Sequence, residues 1–168
     1  MPRSFAPILP QHPKVLILGS MPGKASLAKT QYYAHPQNCF WYMLKPVIGV
    51  AETESYQTRV AGLESVGIAV WDVLSTCQRT GSLDANIVRG SESFNDLAGL
   101  FERFPSVKNV LFNGQTAAKL FAQLFKSSTH RHTLPTLHTM PSTSPAHASV
   151  TRARKRQIWL AALTSGLA

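Results

Sequence analysis

The segment Val15 to Trp41, VLILGSMPGKASLAKTQYYAHPQNCFW, constrains the fold more than any other stretch of this chain. Four consecutive apolar residues, Val15 to Leu18, end at Gly19. Such a run, closed by a turn residue, predicts a strand buried on both faces of a parallel sheet. In open α/β sheets, ligands bind where loops leave the carboxyl ends of the strands. Read as a loop of about twenty residues, the following stretch far exceeds the two to six usual for a strand-to-helix connection. It carries Tyr32, Tyr33, Phe40 and Trp41 as flat apolar faces, with Gln31, His35 and Asn38 as hydrogen-bonding groups. That mixture suits a planar ligand with polar edges, such as a nucleobase.

A phosphate-binding P-loop is the first rival, because Gly19 to Ser26 reads GSMPGKAS. Only three residues separate its glycines, and Ala25 stands where a hydroxyl must hold magnesium. Pro22 also removes a backbone N–H from the nest that would cradle phosphates. These losses argue against a nucleotide triphosphatase.

The charge balance points the same way as the aromatic loop. Seventeen Lys and Arg against eight Asp and Glu give a net charge of +9. A field of that sign favours a polyanion, nucleic acid first and an anionic membrane surface second. At 168 residues and 44% hydrophobic content, one domain with a sizeable core is expected, spanning residues 1–168 with 1–13 as an extended lead-in. No apolar run approaches the roughly 18 residues of a membrane span, and prolines at 2, 7, 10 and 13 break any signal-peptide pattern. Cys39 and Cys77 are the only cysteines, without CxxC spacing. A cytoplasmic protein with reduced thiols, no disulfide framework and no iron–sulfur cluster is expected.

Along the chain, strand patterns alternate with helical ones. Strands are predicted at Lys14–Leu18, Gly67–Leu74, Val107–Phe112 and Leu134–Thr139, the last weakened by Pro135. Helices are predicted from Asn38 to Pro46–Gly49, over Tyr56–Ser65, through Phe94 to Phe104, after Gly114, and over Ser149–Leu163. Residues 75–93 read as a polar loop. The alternation argues for a three-layer α/β/α sandwich around a four-stranded, mainly parallel sheet.

GSMPG followed by QYYAHPQNCFW resembles the first motif of the uracil-DNA glycosylase superfamily, and in particular of its mismatch-specific uracil and thymine branch. Two further stretches resemble the same superfamily in the same order. They are VLFNG (110–114) with the helix after it, and MPSTSPAH (140–147), which resembles the loop that grips DNA and wedges into the duplex. The resemblance covers about residues 14–160. One position departs from it: Met21 stands where those relatives carry a catalytic Asn or Asp. With that departure, and with YYAHP-x-N and PSTSPAHA intact, the chain resembles the hypoxanthine-DNA (deoxyinosine) glycosylase family. The resemblance implies a monofunctional glycosylase that needs neither metal nor other cofactor and acts on DNA containing a deaminated base. A monomer is expected.

The resemblance assigns the water-positioning role to Asn38. An amide oxygen can align water and face the positive charge of an oxocarbenium-like sugar. Asn38 as a plain helix cap is the alternative. Tyr33 is the candidate stacking platform, since an extruded base is held against an aromatic face. The pocket is expected to include Gly19, Ser20, Met21, Pro22, His35, Phe40, Asp72 and Asn113. Met21 reads equally as a soft pocket floor or as core filling. His35 reads chiefly as structural, with a role toward the leaving base as the alternative, and Asp72 as base-edge acceptor or solvated strand end. Ser142, Thr143 and Ser144 are candidate phosphate contacts, and Pro145, Ala146 and His147 a candidate wedge. Arg152, Lys155 and Arg156 are expected on one charged face of the last helix, extending the phosphate footprint, with Val150, Ala153, Ile158 and Ala161 opposite. His130 and His132, flanking Arg131, lack metal-ligand partners at useful spacing, so no metal site is expected. The leading substrate is hypoxanthine in DNA. Uracil, or a catalytically inactive nucleic-acid-binding relative, is the alternative.

Overall fold

A computed structural model of the chain describes residues 1–126 and 134–168. In chain order the strands are β1 (Val15–Gly19), β2 (Ile68–Asp72), β3 (Leu74–Thr76), β4 (Ser93–Phe94), β5 (Asn109–Asn113) and β6 (Thr136–Met140). The helices are α1 (Lys24–Lys29), α2 (Phe40–Ile48), α3 (Tyr56–Val66), α4 (Leu97–Arg103), α5 (Gln115–Leu124) and α6 (Arg152–Leu167).

The central sheet has the order β2-β1-β5-β6, and every pairing in it is parallel. Residues 15 to 18 of β1 are each 0% exposed, as an unbroken apolar run requires. Successive side chains of a strand alternate between faces, and here each face has its own cover. Val15 and Ile17 join a core with Phe40, Met43 and Leu44 of α2, Leu63 of α3, and Trp159 and Leu163 of α6. Leu16 and Leu18 join a second core with Leu97 and Leu100 of α4 and Ala117, Leu120 and Phe121 of α5. The layers are therefore α/β/α, as the alternation of patterns predicts.

The lead-in has a definite task at one sheet edge. Ile8 pairs antiparallel with Val70, its N–H donating to the Val70 carbonyl at 2.8 Å and its own carbonyl accepting at 3.0 Å. Trp71 Nε1 donates to the Phe5 carbonyl at 2.9 Å. The outer edge of β2, otherwise open to pairing, is covered there by residues 5–8 of the lead-in.

Several elements differ from the sequence reading, each for a local reason. The long stretch after β1 contains α1, six residues opening at the Gly23 N-cap and closed by Thr30 at φ 52°. The run 67–74 divides. Residues 68–72 stay in the main sheet, while 74–76 leave it as β3 to pair antiparallel with β4. The expected helix over 94–104 loses Phe94 to β4 and starts after Asp96, whose carboxylate accepts from Gly99 N at 2.9 Å. The strand β6 begins only after Pro135, which has no N–H for the ladder.

The last helix shows the largest change. It starts at Arg152, where the Thr151 hydroxyl accepts from Arg154 N at 3.2 Å, and its buried residues are Lys155, Trp159 and Leu163. The expected faces are thus wrong, since Lys155 lies on the inner stripe and Ala153 and Ala161 are exposed. Helical spacing of four puts Lys155, Trp159 and Leu163 on one side, and burying a lysine there requires a partner for its ammonium. The carbonyl of His147 is that partner.

Trp159 is 0% exposed and its Nε1 donates to the Pro141 carbonyl at 2.9 Å. Trp159→Phe keeps an aromatic ring but removes that donor and leaves a small void. We expect a loss of about 1–3 kcal/mol in urea unfolding, with an unchanged m value.

Candidate active site

A cleft of about 540 Å³ opens where β1, β2 and β5 end, and it is lined from both aromatic and Ser/Pro-rich segments. The volume lies within the range of small-molecule sites. Gly19, Ser20, Met21, Pro22, Tyr33, His35, Asn38, Asp72 and Asn113 all line it, as do residues 142–147. The structure therefore brings together residues from both ends of the chain that the sequence motifs associate. Phe40, Arg152 and Lys155 do not line it.

Phe40 lies behind the wall. It is 0% exposed and stacks on Tyr33 with ring centroids 4.0 Å apart and planes at 21°. The expected pocket role of Phe40 becomes support, because a ring fully covered by Tyr33 and the core has no free face for a ligand. Tyr33 itself has φ 54°, a left-handed conformation uncommon for a bulky residue. Its hydroxyl is buried without a hydrogen-bond partner, and burial, reinforced by the charge of Asp72, pushes the phenol well above its usual range.

Gly19 is required here by close approach. A Cβ at that position would lie 2.5 Å from Asp72 Oδ1 and 3.1 Å from the Tyr33 hydroxyl. Asp72 is 4% exposed and its Oδ2 has no hydrogen-bond partner, so the solvated strand-end alternative does not hold. Burial and the neighbouring Asp84 push Asp72 up to about 7, against the opposing pull of Arg79.

Asn38 stands one residue before Cys39, the N-cap of α2, and its side chain still reaches the start of the helix. The first residue of α2 is Phe40, whose N–H donates to Asn38 Oδ1 at 3.0 Å. A carbonyl-type oxygen has two lone pairs, so that bond fixes the carboxamide and leaves a second acceptor position. His35 is exposed at the cleft, its Nδ1 accepting from Gln37 N at 3.1 Å. Met21 lines the cleft and belongs to the α4/α5 core, so both of its alternatives hold at once.

The 141–147 loop is clamped at several points. Asn113 uses both halves of its carboxamide on Thr143: Nδ2 donates to Oγ1 and Oδ1 accepts from the backbone N–H, each at 2.9 Å. The Thr143 carbonyl accepts from Cys39 N at 3.1 Å. Thr143 is consequently 1% exposed, which overturns its expected role as a phosphate contact: its polar groups are spent on the fold. The hydroxyl of Ser142 accepts from Ser144 N, and that of Ser144 from Ala146 N, both at 3.2 Å. Pro145 and Ala146 stand exposed at the tip, and His147 Nε2 is buried without a partner.

Lys155 is likewise corrected. It is 4% exposed, and its ammonium donates to the His147 carbonyl, holding the loop rather than meeting phosphate. Arg152 is exposed, its guanidinium 3.9 Å from the centre of the Tyr42 ring, and Arg156 donates to the Tyr42 hydroxyl at 3.2 Å.

The sequence reading missed one wall altogether. Ser82, Leu83, Asp84 and Ala85 line the cleft from the stretch read as a polar loop. Asp84 Oδ1 accepts from Ser20 Oγ at 2.7 Å and lies 3.8 Å from Arg79 Nη1. The length of 75–93 was the available signal, since unstructured loops beyond about 12–15 residues are uncommon without a function. Among the described residues, no three His, Cys, Asp or Glu side chains gather as a metal site requires. His130, Arg131 and His132 lie outside the described residues. No described helix is long and apolar enough to cross a membrane.

A parallel α/β/α fold with a cleft at the strand ends, walled in part by Tyr32 and Tyr33 and bordered by a clamped Ser/Pro loop, is the frame in which the family match below defines a DNA glycosylase. The uracil DNA glycosylase superfamily model matches residues 6–166, and the chain belongs to that superfamily. It is a DNA glycosylase by family, with DNA as its substrate. Among similar proteins, one from Methanosarcina barkeri named hypoxanthine DNA glycosylase is 37% identical over 118 residues, 70% of this chain and 73% of the relative. A protein of the same name from Methanosarcina acetivorans is 36% identical over the same shares. A solution NMR structure from Methanosarcina acetivorans, provisionally titled a uracil DNA glycosylase, superposes with a TM-score of 0.79 at 30% identity, covering 98% of this chain and 97% of that one.

The raised Asp72 makes stability pH-dependent. Unfolded, the carboxyl titrates near 3.8; folded, near 7. Between those values the folded state holds the extra proton, so stability falls as pH rises from about 4 to about 7, then levels off. Asp72→Asn removes that ionisation. Urea unfolding should show the variant gaining on the wild type from about pH 4 to about pH 7, with a constant gap above.

Proposed function

We propose that this chain is a monofunctional glycosylase that releases hypoxanthine from deoxyinosine in DNA, with Asn38 aligning the attacking water. The carrying observation is that one cleft holds the Asn38 carboxamide, fixed by Phe40 N, together with the thioether of Met21. Residue 38 thus offers a fixed polar group able to hold water, and residue 21 a soft apolar surface on which a purine can pack. The names of the two Methanosarcina relatives support the same substrate.

In this reading Tyr33, backed by Phe40, carries the flipped base. As the C1′–N9 bond breaks, the base departs with the bonding electrons and the sugar develops positive charge. The free lone pair of Asn38 Oδ1 accepts a hydrogen bond from water, whose oxygen adds to C1′ and whose proton is released. Amide oxygens act here by position and dipole, since an amide is not a general base. Asn38→Ala should slow single-turnover hypoxanthine release on the order of 10²-fold or more with little change in DNA affinity. Near-wild-type release by that variant overturns the assignment.

The substrate test compares duplexes carrying inosine, uracil or xanthine in one sequence context. Faster release of hypoxanthine than of uracil is expected, and the reverse order places the chain among uracil-excising enzymes instead. One lysine, Lys24, is exposed at the cleft. A monofunctional enzyme forms no Schiff base there, so borohydride should trap no protein–DNA adduct; a trapped adduct overturns that part of the reading.

The hydroxyl hydrogens of Ser142 and Ser144, left over by the bonds within the loop, are proposed to meet phosphates, with Pro145, Ala146 and His147 entering the gap left by the base. Arg152 extends that footprint. Arg152→Ala should lower the salt-dependence slope of DNA binding by about one unit, whereas Lys155→Met should chiefly lower stability. Equal slopes for wild type and Arg152→Ala return this arginine to a solvated face.

A further inference from the structure

The base-releasing chemistry leaves unused a polar relay that joins the cleft wall at Ser20 to the 79–84 segment. Ser20 Oγ donates to Asp84 Oδ1 at 2.7 Å, and the same oxygen lies 3.8 Å from Arg79 Nη1. The Arg79 side chain is 1% exposed and its Nη2 donates to the Pro22 carbonyl, the residue two beyond Ser20. Backbone bonds hold the segment as well: Val73 N donates to the Gly19 carbonyl at 2.8 Å and Leu74 N to the Ser20 carbonyl at 3.1 Å. Ser20 and Asp84 both line the cleft.

A hydroxyl has one hydrogen and two lone pairs. An ionised carboxylate can only accept; burial raises the Asp84 carboxyl above its usual range, while the Ser20 hydroxyl and the Arg79 guanidinium pull it back toward that acceptor form, in which Ser20 Oγ is the donor of the pair. The single hydrogen of Ser20 is therefore committed to Asp84. What remains for a ligand is lone pairs, so the hydroxyl acts toward the cleft as an acceptor only.

Deamination changes the very feature such a group senses. In adenine the ring nitrogen N1 is a bare acceptor beside an amino group. In hypoxanthine N1 carries a hydrogen beside a carbonyl. An acceptor-only hydroxyl receives a hydrogen bond from N1–H, but faces another lone pair when the base is adenine. Asp72 cannot make this distinction alone, because a protonated carboxyl can turn its hydrogen to suit either pattern. A buried group left facing a mismatched partner is costly, which is how such sites reject close analogues.

We infer that Ser20, held as an acceptor by the Asp84–Arg79 pair, reads the protonated ring nitrogen that deamination creates and is the specificity-determining residue of the cleft. Asp84 is the positioning residue that acts through it. The inference rests on the hypoxanthine reading above.

The test uses binding, so it does not depend on turnover. Three duplexes are compared: one with 2′-fluoro-arabino inosine, which resists hydrolysis; one with the same sugar bearing unsubstituted purine, which lacks N1–H and the oxo group; and one with a tetrahydrofuran abasic analogue. The wild type should bind the inosine duplex about tenfold or more tighter than the purine duplex. Ser20→Ala and Asp84→Asn should each bring that ratio to within about twofold of unity, with affinity for the abasic duplex unchanged. A merely structural relay would weaken all three together or leave the ratio intact, and either result overturns the inference. Should Asp84→Asn fold poorly, Ser20→Ala, which keeps the Asp84–Arg79 pair, decides alone. A wild type without preference for the inosine duplex overturns the substrate reading together with this one, whereas a preferring wild type with equally preferring variants overturns this inference only.

Discussion

Asn113 grips Thr143 through both ends of its carboxamide, and the cleft depends on that cross-tie. The two bonds seat the 141–147 loop on the end of β5. The Thr143 carbonyl then accepts from Cys39 N, just before α2 begins and one residue beyond Asn38. One residue thus couples three segments that lie far apart in the chain. Each bond of an ordinary kind contributes only about 0.5–1.5 kcal/mol net, yet leaving these buried groups unpaired would cost more. The tie therefore serves register more than stability: it sets where the loop stands relative to Asn38.

The same economy governs α6. Among its buried residues, Trp159 donates to the Pro141 carbonyl and Lys155 to that of His147. The helix clamps both ends of the loop from below while its exposed Arg152 remains toward solvent, stacked on Tyr42. The helix thereby has two kinds of cation, one spent on the fold and one left toward solvent. Burial lowers the Lys155 ammonium from its ordinary range, consistent with a charge removed from water.

Within the cleft, polar groups fall into those already satisfied and those left open. The amide of Asn113 and the hydrogen of Ser20 are committed to protein partners. Asp72 Oδ2, the Tyr33 hydroxyl and His147 Nε2 are buried without one. Buried polar atoms without partners are uncommon and costly, and three gathered around one cleft mark it as built for a ligand that brings its own hydrogen bonds. Glycine at 19 lets Asp72 and Tyr33 approach β1 closely enough to join them.

Much of this was legible in the chain itself. The apolar run at 15–18, the helical spacings and the alternation of patterns determined a parallel α/β/α sandwich, because burial on two faces imposes those periods regardless of context. The motif segments also named most of the residues that meet at the cleft. Which of them touch, and with which atoms, only tertiary packing decided. Lys155 reads as a surface charge until Trp159 and Leu163 turn inward beside it and His147 offers a carbonyl. Thr143 reads as a phosphate contact until Asn113 arrives from thirty residues away. Arg79 and Asp84 have no periodicity to betray them, since a loop is placed by its partners and not by its own spacing. Hydrophobic pattern is a local property of the chain, whereas the pairing of a buried polar group is settled by whatever the fold brings within 3 Å of it.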